Sequence, residues 1–256
     1  MNKIEVKILN EDSIIEAKKA MVLAARITQH GHQIKDMNDL LNLYDMPASD
    51  KLVSNLIKLP HPTLQKLGTI NVAIVGASRR FLAQITRHQN EVKFMSASLQ
   101  YSNYGGSADF VVPYEILGTE EEEPFLKACE SSMAYYQAIV DESFGNDSAG
   151  YIAPQALRNI LLISATPYQW KHMISQRICR RNTDETRYVM LLIWEALYKL
   201  APELFTLETT GPFCMKDKCL EGKMSCGLRY NKEITPTEII KQDFIKLYGR
   251  RSINEN

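Results

Sequence analysis

Net charge is missing from this chain: thirty Lys and Arg cancel thirty Asp and Glu across 256 residues. Such a balance projects no field that would draw nucleic acid or an anionic membrane to the whole surface, so any anion site must be local. Long apolar runs are missing too. The most apolar windows, Ile70 to Ala77 and Tyr188 to Leu200, are too short or are interrupted by Glu195 and Lys199, and a membrane helix needs ~20 apolar residues. The N-terminal stretch MNKIEVKILNEDSIIEAKK is polar where a signal peptide would be apolar, which points away from export and towards the cytoplasm. Cysteine is scarce and odd in number, five in all, so free thiols or a metal are expected before a disulfide framework. What is present is globular: 45% hydrophobic and 23% charged residues, in a chain long enough to bury roughly 70% of its unfolded surface.

Hydrophobic spacing and capping residues divide the chain. Ser13 opens a helix carrying Ile14, Ala17, Met21, Ala24 and Ile27, with Gly31 past its end. A short helix follows Ser49 and stops before Pro60 and Pro62. Thr69 to Val75 is β-rich and reads as a strand ended by Gly76, after which Ser78 caps a helix running to His88. Val92 to Tyr104 suits an extended strand and loop. Thr119, four glutamates and Pro124 start a helix that reaches about Phe144, the acids complementing the positive end of its dipole. Thr166-Pro167 with Gln169, Thr183 with Asp184 and Glu185, and Thr235-Pro236 with Glu238 start three more, and Gly249 can terminate the last. No repeat or linker divides the chain.

Gln84, Arg87 and His88 stand at i, i+3 and i+4, which on a helix gathers an amide, a guanidinium and an imidazole on one face. Such a face can hold a polar ligand, but spacing alone favours a solvated helix end whose basic residues complement the dipole. Ser98 and Tyr101 follow shortly. With Arg87-His88, eight intervening residues after Gln89 and then Ser98, this pattern resembles the signature of the flavin-dependent thymidylate synthases: Arg-His-Arg, seven or eight residues, then Ser, often within Ser-x-Arg-Tyr. Other segments agree in order. AARIT at 24–28 is similar to the family's N-terminal helix end, HPT at 61–63 to its His-x-Thr, and RICRRNTDETR at 177–187 to its second arginine segment, with His172 five residues before Arg177. The tail GPFCMKDKCLEGKMSCG at 211–227 is similar to a Cys-containing ending found in a subset of these enzymes.

The resemblance implies an α/β (α+β) homotetramer: a central, mostly antiparallel sheet flanked by helices, in one domain over 1–256 with a Cys-containing extension from about 206. It implies FAD as cofactor, with NADPH and methylenetetrahydrofolate as co-substrates, and dUMP as the nucleotide methylated to dTMP. The carry-over gives the cofactor Thr28, His61, Thr63, Arg87, His88, Gln89 and His172. The nucleotide receives Gln84, Ser98, Gln100, Tyr101, Arg158 and Arg177, with Ser98 and Arg177 the residues closest to the chemistry. The other thymidylate synthase class uses a Pro-Cys-His nucleophile, which is absent here.

Gln89 and Gln100 replace family arginines, while Met95 and Ser96 replace the usual Asn and Glu. A charged hydrogen bond contributes ~1.5 to 3 kcal/mol against ~0.5 to 1.5 for a neutral one, so a changed nucleotide, or a homologue that binds without turnover, is the alternative function. Two rival readings come from other residues. Cys214, Cys219 and Cys226, with His61 or a fourth group, would make a zinc site, but without a C-x-x-C pair a reduced, loop-rich tail with no metal is expected. Arg79, Arg80, Phe81, Lys93, Phe94, Tyr101 and Tyr104 would make a single-strand nucleic-acid platform, against which the interspersed acids argue. Neither nucleic acid nor a membrane is expected as a partner.

Overall fold

The computed structural model describes residues 3–106, 108–216 and 219–248. Strands β1 (Glu5–Ile8), β2 (Ile70–Ser78), β3 (Val92–Ser96) and β4 (Arg158–Ala165) form one sheet in the order β1-β2-β4-β3, and all three pairings are antiparallel. Around it lie helices α1 (Asp12–His30), α2 (Met37–Asp45), α3 (Asp50–Leu56), α4 (Arg79–Ile85), α5 (Glu122–Asp141), α6 (Gly145–Gly150), α7 (Pro167–Arg177), α8 (Asp184–Leu200), α9 (Leu207–Thr210), α10 (Phe213–Lys216) and α11 (Pro236–Asp243). The α/β class and the antiparallel sheet are as expected.

Strand alternation sorts the sheet into two faces. Ile70, Val72 and Ile74 of β2 and Leu161, Ile163 and Ala165 of β4 point inward and are buried. There they meet α4 and α8, and every side chain of α8 from Thr186 to Glu195 is buried. Among the described residues the other face is uncovered. Val75 opposite Ile160, and Leu162 opposite both Ala73 and Met95, form an apolar strip in which Val75, Ile160, Leu162 and Met95 are 44%, 57%, 38% and 71% exposed. A smaller core gathers Phe110, Cys129, Met133, Tyr136, Ala149 and Leu157 under α5 and α6.

Side-chain caps set the helix starts. The hydroxyls of Ser49, Ser78 and Thr166 accept from backbone N–H groups at Leu52, Phe81 and Gln169, and Thr235 with Glu238 closes a full reciprocal box. Several elements differ from the sequence reading. Glu11 precedes α1, with Ser13 inside it, and Gly31 remains right-handed rather than terminating the helix in the left-handed form. β1, β4, α2 and α6 were not foreseen; α2 is capped by Asp36, whose carboxylate accepts from the Asp39 N–H at 2.9 Å. Helix α5 stops at Asp141, short of Phe144, and Gly249 lies outside the described residues.

Gly76 does not end β2 but bulges it, shifting the register between Val75 and Ala77. Its φ is +87°, and a Cβ there would stand 2.6 Å from both the Lys3 carbonyl oxygen and Arg158 Nη1, so only glycine fits. Beyond the bulge the strand delivers Ser78 to the start of α4. There the Ser78 N–H donates to Glu185 Oε1 at 2.6 Å and its hydroxyl to the other carboxylate oxygen. Glu185 in the first turn of α8 thereby fixes the orientation of α4. Burial holds its carboxyl above the usual range.

Candidate functional site

Helix α4 closes before His88. The Thr86 hydroxyl donates back to the Leu82 carbonyl at 2.8 Å and the His88 N–H to the Ile85 carbonyl at 3.1 Å, so Arg87 and His88 follow the helix instead of continuing its face. This corrects the i, i+3, i+4 reading, yet the turn still brings them against the last turns of α7. The result is a cleft of about 450 Å³ lined by Arg87, His88, Gln89, His172, Gln176 and Arg177, with Asn90 and Gln169 at its sides.

Arg177 organises the cleft. Its Nε donates to His88 Nε2 at 2.8 Å, its Nη2 to the Gln84 carbonyl at 3.0 Å and its Nη1 to Asn182 Oδ1 at 3.4 Å. Accepting at Nε2 requires His88 to be neutral, with its proton on Nδ1. Burial, then the Arg177 charge and His172, push the His88 pKa down to about 4, in agreement with that role. The His172 ring stands edge-on to His88 with centroids 6.0 Å apart. Arg177 itself is held below the usual guanidinium range by burial and then by the Arg87 charge. Among the described residues no carboxylate lines the cleft or pairs with Arg177. Guanidinium, imidazole and amide donors gathered without an acid suit an anionic oxygen ligand such as a phosphate.

The remaining residues named from the sequence lie elsewhere on the single chain. Thr28, in the last turn of α1, is exposed and donates to the Ala25 carbonyl at 2.7 Å. His61 and Thr63 are exposed at the start of the Pro62–Lys66 turn, which packs on α1 and α7. Ser98 follows β3 in a turn where its Oγ accepts from the Gln100 N–H at 3.1 Å and the Tyr101 N–H at 3.4 Å; Gln100 and Tyr101 are exposed. Arg158 forms an ion pair with Asp109 at 2.9 Å and donates to the Gly76 carbonyl at 2.8 Å. The sequence reading did not assign Gln176, Gln169 or Asn182 to the site, and it named Gln169 only at the start of α7. Gln169, His172 and Gln176 stand at i, i+3 and i+7, a one-face pattern on α7 that was the available signal for them; His172 alone was assigned, through the resemblance.

Residues 11–203 match the family described as thymidylate synthase complementing protein. The chain belongs to this family, that of the flavin-dependent thymidylate synthases. A flavin-dependent thymidylate synthase from Geobacter sulfurreducens is 25% identical over 214 residues, which is 83% of this chain and 90% of the relative. Among solved structures, thymidylate synthase X from Helicobacter pylori with FAD and dUMP superposes with a TM-score of 0.59 at 16% identity, over 79% of this chain and 97% of that one. A UMP/dUMP methylase from Streptomyces cacaoi bound with 5-Br dUMP gives 0.58 at 16% identity, over 79% and 93%. At these identities the two structures establish the family fold. The cleft residues Arg87, His88, Gln89, His172, Gln176 and Arg177 all fall inside the matched range.

Proposed function

We propose that this chain is a flavin-dependent thymidylate synthase, which methylates dUMP to dTMP with methylenetetrahydrofolate as carbon donor, NADPH as reductant and FAD as cofactor. The observation that carries the reading is the Arg177 guanidinium, half-buried and bonded to neutral acceptors in an acid-free cleft. When bound, the flavin supplies the hydride that completes the methyl group. The donor set fits its diphosphate: Arg87, Gln89 and His172 offer N–H groups to anionic oxygens, while His88 keeps Arg177 aimed from behind.

Arg177 donates to the uracil edge and stabilises the negative charge that develops there when C5 is activated, an electrostatic contribution strengthened by partial burial. Ser98 holds its Oγ with two backbone N–H groups, leaving its own proton for donation to the nucleotide. Gln84, Gln100, Tyr101 and Arg158 complete the nucleotide site by family position, and Thr28, His61 and Thr63 the cofactor site.

Several of these residues lie away from the Arg177 cleft in one chain, so the complete site takes a homotetramer in which neighbouring copies supply them. The uncovered apolar strip of Val75, Ile160, Leu162 and Met95 supports such an assembly, because a sheet face of this kind is stable when another copy covers it. One domain spans the chain with the Cys-containing tail from about 206, since Ile239, Ile240, Phe244 and Leu247 pack into the same core as β2 and α8. Among the described residues no helix is long and apolar enough to cross a membrane. Free thiols throughout suit the reducing cytoplasm.

The test is a visible spectrum and a turnover assay on the full chain. We expect a yellow protein that assembles as four copies and forms dTMP from dUMP, dependent on NADPH and methylenetetrahydrofolate. A folded protein that stays colourless in excess FAD overturns the reading. Gln89 and Gln100, standing where the family carries arginines, favour one second reading: a related pyrimidine nucleotide as substrate. Methyl transfer to that nucleotide but not to dUMP would establish it, and flavin binding with no turnover on any nucleotide would instead mark a non-catalytic homologue.

A further inference from the structure

Next to the Arg177 cleft, with Gln176 lining both, is a cavity of about 210 Å³ whose wall includes four thiols, those of Cys179, Cys214, Cys219 and Cys226. Three come from the tail and one from the turn itself, two residues beyond Arg177. The fourth group beside the tail cysteines is therefore Cys179, and His61 is not among the lining residues. All four are free. We propose that these four cysteines form a tetrahedral zinc site that clamps the C-terminal tail onto the turn carrying Arg177.

Three observations carry the proposal. The first is convergence: four of the chain's five cysteines, remote in sequence, meet at one small cavity, while Cys129 is buried in the separate core under α5. Four sulfurs are the complete donor set of a closed structural zinc site, and soft thiolates select zinc over the hard cations. The second is the surrounding charge. Arg180, paired with Asp243, lines the cavity together with Glu221 and Arg181, and among the described residues Arg181 is the guanidinium there without a carboxylate partner, so it offsets part of the two negative charges left when four thiolates bind one divalent ion. Each thiol releases its proton to solvent as it binds the cation.

The third observation is that the tail has little else to hold it. Hydrogen bonds described for residues 219–228 reach no further than three residues along the chain, within a single 3₁₀ turn at Gly222–Met224 and the bends after it. A loop of this kind needs an anchor that its own backbone does not provide. As the side chains stand, no three described His, Cys, Asp or Glu groups meet the geometry of a metal ion's shell. The four thiols therefore have to draw together on binding, across a cavity of about 210 Å³.

The full-length protein, purified without chelator, is equilibrated with Zn²⁺ alone or Co²⁺ alone and desalted. We expect about one metal per chain, an intense thiolate-to-cobalt charge-transfer absorption with tetrahedral d–d bands, and metal-dependent protection of the four cavity thiols from a thiol reagent, Cys129 being buried with or without metal. Cys179→Ser, Cys214→Ser, Cys219→Ser and Cys226→Ser should each weaken or abolish the cobalt spectrum, while Cys129→Ser leaves it intact. The wild-type spectrum and thiol protection decide the matter even where a variant fails to fold. Absence of retained metal with the four cavity thiols no less reactive in its presence, a disulfide among the four, an iron–sulfur chromophore, or metal binding indifferent to all four substitutions would overturn the proposal.

Discussion

Two arginine clusters flank the turn between α7 and α8, and they are wired in opposite ways. On one side Arg180 and Arg187 close on Asp243 of α11: Arg180 Nη2 donates to Asp243 Oδ1 at 2.7 Å, Arg187 Nη2 pairs with Oδ2, and the Tyr230 hydroxyl joins both guanidinium groups and the carboxylate. On the other side Arg177 meets an imidazole nitrogen, a carbonyl and an amide, all neutral. The first cluster is saturated and holds the C-terminal helix to the body. Against the desolvation that opposes it, the Tyr230 hydrogen bond and the two arginine charges keep Asp243 below the usual carboxylate range, and burial first of all pushes Tyr230 up to about 12. The second keeps a positive charge without a counter-charge in a cleft. Where arginines cluster, the partner they lack distinguishes a ligand site from a structural one.

Breaking the saturated cluster should have the largest effect. Asp243→Ala leaves two guanidinium groups facing each other with side chains only 7% and 23% exposed, and should cost about 3 to 5 kcal/mol of stability. Denaturant unfolding measures it, and a loss below about 1 kcal/mol would contradict the structural assignment. Next in size is Gln100→Arg, which restores a family guanidinium and should tighten dUMP by up to ~2 kcal/mol if phosphate binding has been weakened. Unchanged affinity in a dUMP titration would instead favour a site rebuilt for another nucleotide. Arg177→Ala should leave unfolding stability within about 1 kcal/mol of wild type, because it removes a charge that has no carboxylate to abandon. A loss as large as that of Asp243→Ala would erase the distinction between the clusters.

A pH titration sharpens the same contrast. His88 has a folded pKa of about 4, below its ordinary value of 6.5. The unfolded chain therefore takes up that proton first, and the stability His88 contributes is fully present above 6.5 and lost as pH falls towards 4. His88→Gln should flatten the unfolding profile across that window, and an unaltered slope would remove His88 from the account.

Much of the frame was readable from local rules. The caps at Ser49, Ser78, Thr166 and Thr235 place α3, α4, α7 and α11 because a side-chain oxygen meeting a free N–H is a short-range event. Strand β4, the central partner of both β2 and β3, was not readable: RNILLISA leans apolar on both faces, since its outer residues Ile160 and Leu162 are apolar and exposed. Strand β1 was hidden for the opposite reason, with Glu5 and Lys7 alternating with Val6 and Ile8 in a segment read as merely polar. At the site, spacing gathered Gln84, Arg87 and His88 but on a helix that ends at Ile85, and the turn does the gathering instead. The union of His88 with Arg177, 89 residues apart, is a long-range product of sheet and helix packing. Sequence resemblance identified both residues; only the fold shows that one aims the other.

The most direct test of the central claim is calorimetric titration of dUMP into the flavin-loaded protein, comparing wild type with Arg177→Ala. The account predicts a loss of about 2 to 4 kcal/mol in binding, roughly 30- to 1,000-fold, with flavin content unchanged. Equal dUMP affinity in the two proteins would contradict it.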